Sequence, residues 1–268
     1  MFPYLGDWVF RFGEGWVISP FGPLVATGVL LGRSLLIKRM TRLGVPRSEI
    51  TALINYTLFF GFTFTHVFDV LFYDPGRIVR EGWWTLFKFW DGISSFGGFW
   101  GGLLGVYLYI KRYKRPVLLI TDLCLEGLVL GWIFGRLGCT LLFDHPGMAT
   151  DAWFAFRHPL GPRHNLGFYE FLHTALILMP VAWWSNRRHL PNRLGICTAL
   201  VSLHYAPIRF GLDFYRAQPA EGGDLRWWGN LTWAQYCCVA LFGLGLFLYR
   251  KATSSAPLQA PLVSASES

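Results

Sequence analysis

Charge is scarce in this sequence. Only 15% of its 268 residues are charged, whereas 53% are hydrophobic and 18% are aromatic. That composition excludes an ordinary soluble domain and is typical of a polytopic membrane protein. Cysteine is scarce as well, with five residues in the chain. All five lie in or beside apolar segments, and their spacing is not that of a metal site. We therefore expect free thiols, no bound metal and no organic cofactor.

Seven segments have the length of about 20 residues that a bilayer requires, and the small and polar residues within them favour helix packing. They are residues 18–36, 50–72, 93–110, 117–137, 168–186, 195–214 and 233–249. We predict an all-α polytopic membrane protein with seven transmembrane helices. Residues 1–251 should form a single seven-helix domain and residues 252–268 a disordered cytoplasmic tail. The seventh segment contains no lysine, which excludes a retinal Schiff base there.

Basic residues follow every second segment. The four basic stretches lie within residues 33–47, 111–115, 187–193 and 250–251. Because positively charged loops stay in the cytoplasm, this pattern predicts an N-terminus outside and a C-terminus in the cytoplasm. Two loops of the opposite side, 138–167 and 215–231, should then meet at the outer face of the membrane.

A row of polar side chains interrupts the sixth segment. Tyr205, Arg209, Asp213 and Arg216 are spaced i, i+4, i+8 and i+11, which places them on one face of a helix. Each ionisable group in a bilayer costs roughly 2.5–3.5 kcal/mol, so a function is expected. Arg209 and Asp213 could simply neutralise each other, and Arg216 could be an interfacial anchor. A row of fixed cations would also suit an anionic lipid headgroup.

Other candidate residues lie near the same outer side. Arg136 could reach the interface or bind phosphate, for which a guanidinium is well shaped. Glu170 is expected as a counter-ion for an arginine. His164 is either an interfacial histidine or a general base. Tyr205 is either a buried tyrosine or a proton donor or acceptor.

Two further patterns concern helix packing. Gly97, Gly101 and Gly105 are spaced by four in the third segment, which favours close helix contact, although bare backbone at Gly101 and its neighbour Gly102 could also admit a lipid. Asp122 and Glu126 are spaced by four in the fourth segment, and they could pair with arginines of neighbouring helices.

Over nearly its full length the chain resembles the prolipoprotein diacylglyceryl transferase family. The matches occur in the order of the family's motifs, with seven spans and the N-terminus outside. Gly135-Arg136-Leu137-Gly138 matches the family's GR(I/L)GN motif, and Asp144 and Gly147 match the acid and the glycine that follow it. Arg163-His164 and Tyr169-Glu170 match the two ends of RHPSQLYE. The pattern Y-x3-R-x3-E-x2-R is matched by Tyr205, Arg209, Asp213 and Arg216, and ISMGQ is matched by residues 231–235.

The resemblance implies transfer of the diacylglyceryl group of phosphatidylglycerol to the lipobox cysteine thiol of a prolipoprotein, with formation of a thioether. Its partners would be phosphatidylglycerol or another anionic phospholipid, the prolipoprotein signal peptide and the membrane, without nucleic acid. A multi-pass monomer in the bacterial inner membrane is expected, with its active site toward the outer leaflet. Arg136, Arg209 and Arg216 would hold the headgroup with Glu170, Asp213, Gly101 and Gly102.

One departure from the family concerns the general base. The family's SFHGG motif corresponds here to residues 92–102, and its histidine aligns with Trp100 or Phe96. Because the thiolate is the nucleophile, a base is still required. Tyr205, activated by Arg209, and His164 are the candidates. The alternatives are a non-catalytic or altered-specificity protein of the same fold that binds or moves phospholipid, and a small-solute transporter.

Overall fold

The computed structural model describes residues 1–4, 6, 10–12, 16–73, 76–88, 95–218, 221 and 226–254. Within them the chain is mostly helical. The helices are α1 (Phe21–Arg42), α2 (Arg47–Phe68), α3 (Gly76–Glu81), α4 (Ser95–Tyr113), α5 (Val117–Leu142), α6 (Leu166–His173), α7 (Met179–His189), α8 (Ile196–Leu212) and α9 (Trp233–Ser254). Short π-helical turns, Asp69–Tyr73 and Thr174–Leu178, extend α2 and join α6 to α7.

Among the residues that the structure describes, five helical stretches are long and apolar enough to cross a membrane. They are Phe21–Arg42, Arg47–Leu71, Val117–Leu142, Leu166–His189 and Trp233–Ser254. The prediction of a helical membrane protein is confirmed at this level. The third and sixth predicted segments are also helical, as α4 and α8, and the total of seven spans stays a prediction.

The chain forms two compact units. The first contains Met1–Leu36 and the described chain from Thr121 onward, and the second contains Ile37–Ile120. The single domain predicted over residues 1–251 is not tested by this division. α9 continues to Ser254, slightly into the predicted tail, and residues 255–268 lie outside the described part.

In the second unit α2 packs along α4 through glycines. A Cβ atom added at Gly101 would collide with the backbone carbonyl of Phe60, whereas one added at Gly102 would lie 3.8 Å from a methyl group of Thr57. The bare backbone at Gly101 therefore permits close approach of the two helices. Glu49, in the first turn of α2, also forms an ion pair of 2.9 Å with Arg115, which lies two residues after the end of α4.

In the first unit α7 and α9 both pack against α8. The core there contains Val129, Leu178, Ala182, Cys197 and Val201. These residues come from α5, α7 with its preceding turn, and α8, so the apolar faces of three helices meet at this point. Between helices that lie in a membrane such apolar faces associate through van der Waals packing, and this packing holds α5 against α7 and α8.

A buried polar group fixes the start of α8. Asp122 accepts hydrogen bonds from the backbone N–H of Gly195 (2.7 Å) and Thr198 (2.9 Å) and from the Thr198 hydroxyl (2.6 Å). Asn186 donates to Glu126 at 2.9 Å and to the Asp122 carbonyl at 3.0 Å. We call these five residues the α8-cap cluster. Helix N–H groups, which need acceptors at a helix start, thus take the place of an arginine beside Asp122.

The predicted loop 138–167 is more ordered than expected. α5 continues to Leu142, and two short strands follow, β3 (Pro146–Ala149) and β4 (Arg163–Asn165), which pair antiparallel. A second hairpin, β1 (Phe10–Phe12) with β2 (Trp16–Ile18), precedes α1. The side chain of Asn165 caps α6 by accepting from the Phe168 N–H at 3.1 Å, which sets the direction of that helix.

The polar row of the sixth segment does not lie on a continuous helix. α8 ends at Leu212, Asp213–Tyr215 form a 3-10 turn, and Arg216 has extended backbone. Arg216 forms an antiparallel bridge with Gly147 of β3, and the Ala217 N–H donates to the Pro146 carbonyl at 3.2 Å. Pairing with the hairpin therefore draws the chain out of the helix before Arg216.

Candidate active site

Arg136 and Glu170 form the first contact of the site. Arg136 Nη2 lies 2.9 Å from Glu170 Oε2, and the guanidinium carbon lies 4.7 Å from the ring centre of Trp132, one helical turn earlier on α5. Glu170 is only 2% exposed. Because α6 starts at the Asn165 cap, its second turn carries Glu170 toward α5.

Arg209 joins α8 to the same carboxylate. Its Nε lies 3.6 Å from Glu170 Oε1, and its Nη1 forms a close ion pair with Asp213 Oδ1. Glu170 thus stands between two guanidinium groups from different helices. In a buried place such pairs need both partners, since one charge left alone costs several kcal/mol.

Asp213 extends the chain of contacts to Arg216 and α9. Its carboxylate is fully buried and lies 3.2 Å from Arg216 Nε. The Thr232 hydroxyl donates to the other carboxylate oxygen. The backbone N–H of Thr232 donates to the side-chain oxygen of Gln235 at 2.9 Å, which fixes the position of Thr232. The start of α9 therefore fixes the carboxylate that orients two arginines.

We call Arg136, Glu170, Arg209, Asp213 and Arg216 the arginine cluster. The cluster has one cation more than it has carboxylates, and its members come from α5, α6, α8 and the turn after α8. Guanidinium groups match phosphate oxygens in geometry and charge. Such an arrangement can bind an anionic headgroup and stabilise charge that develops on its phosphate.

Tyr205 lies one turn before Arg209 on α8. It packs against the apolar core of the first unit and interacts electrostatically with Glu170, Arg136 and Arg209. The structure therefore brings this sequence-predicted residue to the arginine cluster. Its predicted role in proton transfer stays a prediction.

His164 lies in β4, among aromatic side chains. Its Nδ1 is 2.8 Å from the Tyr169 hydroxyl, and its ring contacts those of Phe154 and Tyr215. Burial lowers the pKa of His164 below its usual value. The imidazole is thus neutral at working pH, and one of its nitrogens is already in a hydrogen bond.

Gly101 and Gly102 lie on α4 in the second unit. Gly101 is placed by its contact with the Phe60 backbone, so helix packing accounts for it, and a lipid contact of these glycines stays a prediction. Trp100, one of two residues aligned with the family's histidine, is 50% exposed. The side chain of the other, Phe96, lies outside the described residues.

Cys139 and His145, which sequence reasoning did not select as site residues, lie with the motif acid Asp144 beside the arginine cluster. The thiol sulfur of Cys139, a carboxylate oxygen of Asp144 and a ring nitrogen of His145 all lie within 4.8 Å of one another. Arg136 and Arg216 act electrostatically on both Asp144 and His145. The one signal in the sequence is that a histidine directly follows the acid of the GR(I/L)GN region.

Comparison with known proteins decides the family. A family model described as prolipoprotein diacylglyceryl transferase matches residues 8–250. The chain belongs to this family. The chain is 32% identical over 232 residues to the phosphatidylglycerol--prolipoprotein diacylglyceryl transferase of Chromohalobacter salexigens, with 83% of this chain and 85% of the relative covered.

Two other relatives with the same protein name extend the likeness within the family. The chain is 33% identical to that of Nitratidesulfovibrio vulgaris over 183 residues, 67% of this chain and 68% of the relative. It is 29% identical to that of Chlorobaculum tepidum over 214 residues, which cover 74% of this chain and 68% of the relative. The family expected from the motifs is confirmed.

Proposed function

We propose that the protein transfers the diacylglyceryl group of phosphatidylglycerol to the lipobox cysteine thiol of a prolipoprotein. The sulfur forms a bond to the glyceryl carbon, the bond from that carbon to the phosphate oxygen breaks, and glycerol phosphate leaves. The names of the relatives support this substrate pair. The reaction needs a site for an anion, a base for the thiol and access for a lipid.

The arginine cluster is the observation that carries the proposal. Glu170 lies between Arg136 at 2.9 Å and Arg209 at 3.6 Å, while Asp213 orients Arg209 and Arg216. Carboxylates in these places hold the guanidinium groups before any ligand binds. Donors fixed in advance stabilise a leaving phosphate without a cost of reorganisation.

An apolar cleft in the same unit supports binding of acyl chains. It is lined by Phe2, Pro3, Leu137, Thr140, Leu141, Phe156, Phe168 and Phe171. Leu137 follows Arg136 on α5, and Phe171 follows Glu170 on α6. The cleft thus shares α5 and α6 with the arginine cluster, and it offers apolar side chains to the acyl chains of a bound lipid.

The membrane arrangement proposed with this function has seven spans and an N-terminus outside. α4 and α8 complete the five apolar helices, and the C-terminus and the basic stretches face the cytoplasm. The arginine cluster then lies toward the outer leaflet of the bacterial inner membrane, where a secreted prolipoprotein emerges. We propose that the protein acts as a monomer.

A direct assay tests the function. Purified protein is incubated with phosphatidylglycerol and a lipobox peptide, and the peptide is examined by mass spectrometry for a diacylglyceryl thioether. We expect product with the cysteine peptide and none with a serine peptide of the same sequence. Lipid bound without product would instead favour the lipid-binding protein, and transport of a solute without either would favour the transporter.

A further inference from the structure

The backbone of His145 is held in a fixed place. The Leu166 N–H at the start of α6 donates to the His145 carbonyl at 3.2 Å. The two residues that follow pair with other segments, Pro146 with Asn165 of β4 and Gly147 with Arg216. Because these contacts tie the loop to both α6 and the end of the arginine cluster, the His145 side chain starts from a defined position.

The imidazole of His145 is accessible and has a carboxylate beside it. Its Nε2 lies 3.9 Å from Asp144 Oδ1, and its side chain is 30% exposed. Cys139 of α5 completes the group, with the three ligand-type atoms within 4.8 Å of one another. The carboxylate lies too far away for a direct hydrogen bond, but its negative charge can stabilise an imidazolium that a substrate thiol can reach.

Cations dominate the surroundings of this imidazole. The charged and titratable groups that face it are Arg136 and Cys139 from α5, Asp144 from its own loop, Arg209 from α8, and Asp213 and Arg216 from the turn after α8. Burial lowers the pKa of His145, and the three arginines lower it further, to about 3. The imidazole is therefore neutral at working pH and can accept a proton, but it is a weak base.

A bound phosphate changes that balance. Negative charge among the three arginines favours the imidazolium form and so raises the pKa of His145 toward working pH. The imidazole becomes an effective base only when the lipid is in place, since proton transfer is best when the pKa of the base is near the operating pH. A thiol that arrives before the lipid is left unactivated.

We propose that His145 is the general base of the transfer reaction. The proposal rests on the function proposed above. The proton of the acceptor thiol moves to the free imidazole nitrogen, the sulfur electron pair forms the bond to the glyceryl carbon, and the electron pair of the broken carbon–oxygen bond leaves with glycerol phosphate. Asp144 steadies the imidazolium until the proton returns to solvent.

The geometry favours His145 over the two bases expected from the sequence. Tyr205 is packed against the apolar core of the first unit, and His164 is buried with Nδ1 beside the Tyr169 hydroxyl. His145 is more exposed and faces the arginines that would hold the leaving group. A metal ion held by the same loop would have to approach three guanidinium groups, so we favour proton transfer.

The test compares His145→Gln with the wild type in the assay of phosphatidylglycerol with a lipobox peptide. His158→Gln is the matched control, because His158 lies in the same outer region and its ring packs on Phe143 at 5.0 Å and Tyr4 at 5.3 Å. We expect His145→Gln to lower kcat by about 10²–10⁴-fold with phosphatidylglycerol binding retained. The control should keep wild-type kcat.

Three further readouts separate a base from a structural residue. The kcat of the wild type should fall as pH falls through the pKa of His145 in the lipid complex, and His145→Gln should lack that acidic limb. Added imidazole should restore part of the lost activity, because the side chain is exposed. Retained lipid binding shows that the variant is folded.

Several results would overturn the proposal. One is a His145→Gln variant that keeps the kcat and the pH profile of the wild type. A second is a chelator that abolishes activity which added zinc restores, and a third is loss of activity in Cys139→Ser while Cys139 of the wild type carries a lipid adduct. Each of these leaves the transferase function standing. Absence of thioether product from the wild type would overturn both the function and the base.

Discussion

Two buried polar centres in the first unit differ in what surrounds their carboxylates. In the α8-cap cluster, Asp122 accepts from two backbone N–H groups and a hydroxyl, at 2.6–2.9 Å. In the arginine cluster, Glu170 and Asp213 face guanidinium groups. The first carboxylate completes a helix start, whereas the others hold cations that a ligand can use. Burial of an acid in a membrane helix therefore does not by itself indicate a function.

Among variants of the two polar centres, the largest effect is expected from Arg209→Lys. Lysine keeps the charge but loses the planar fork that reaches both Glu170 and Asp213. Loss of one such donor to a developing anion costs about 10²–10³-fold in kcat. Steady-state kinetics with phosphatidylglycerol and a lipobox peptide measure the change, and Arg33→Lys on α1, at an exposed position, serves as the control. Full activity of Arg209→Lys would remove this residue from the reaction.

The opposite pattern is expected at the α8-cap cluster. Asp122→Ala leaves buried N–H groups at the start of α8 without an acceptor, which should cost about 1–3 kcal/mol of stability. Asp122→Asn keeps one acceptor and should cost less. Thermal unfolding in detergent measures both, while kcat of the folded fraction should equal that of the wild type. A specific loss of kcat without a loss of stability would show that the two centres are not distinct in role.

A packing effect of intermediate size is expected in the second unit. Gly101→Ala places a Cβ against the Phe60 carbonyl, whereas Gly102→Ala places it 3.8 Å from Thr57. Overpacking of this kind costs about 1–3 kcal/mol, so Gly101→Ala should lower the thermal midpoint and Gly102→Ala should not. If both variants keep stability but lose lipid binding, the glycines contact the lipid instead.

The smallest effect is expected from removal of the exposed partner, Glu221, of an ion pair with the buried Arg163. Arg163 Nη1 lies 3.0 Å from Glu221 Oε2, and this hydrogen bond lowers the pKa of Glu221 below its usual value. The stabilisation of the folded protein by this ion pair is fully present above the pKa of Glu221 in the unfolded chain. It is lost as pH falls through the lower pKa of Glu221 in the folded protein. Glu221→Gln should therefore differ little from the wild type in thermal midpoint at pH 7, and that difference should shrink as pH falls below the usual pKa of a glutamate. A large difference at pH 7 would mean that the outer loops depend on this pair.

The helices could be predicted because their patterns are local. Apolar segments of sufficient length gave the spans, and α5 starts at the predicted residue although it runs on to Leu142. The resemblance in motif order led to Arg136, Glu170 and Arg209, which lie in different helices and meet in the structure.

Features that depend on tertiary contacts were missed. α8 ends at Leu212 because Arg216 pairs with Gly147 in another segment, and no local spacing shows this. The partners of Asp122 are mainly backbone N–H groups, which have no signature in side-chain patterns. His145 lies in a loop, and only the folded chain brings it to the arginines.

Lipid retention measured by native mass spectrometry tests most directly whether the arginine cluster binds the headgroup. Wild type, the double variant Arg136→Gln with Arg209→Gln, and Asp122→Asn are each released from micelles that contain phosphatidylglycerol and phosphatidylcholine. We predict that wild type and Asp122→Asn retain phosphatidylglycerol, that free glycerol phosphate competes with it, and that the folded double variant loses it. Equal retention of phosphatidylglycerol by the folded double variant would contradict the headgroup site.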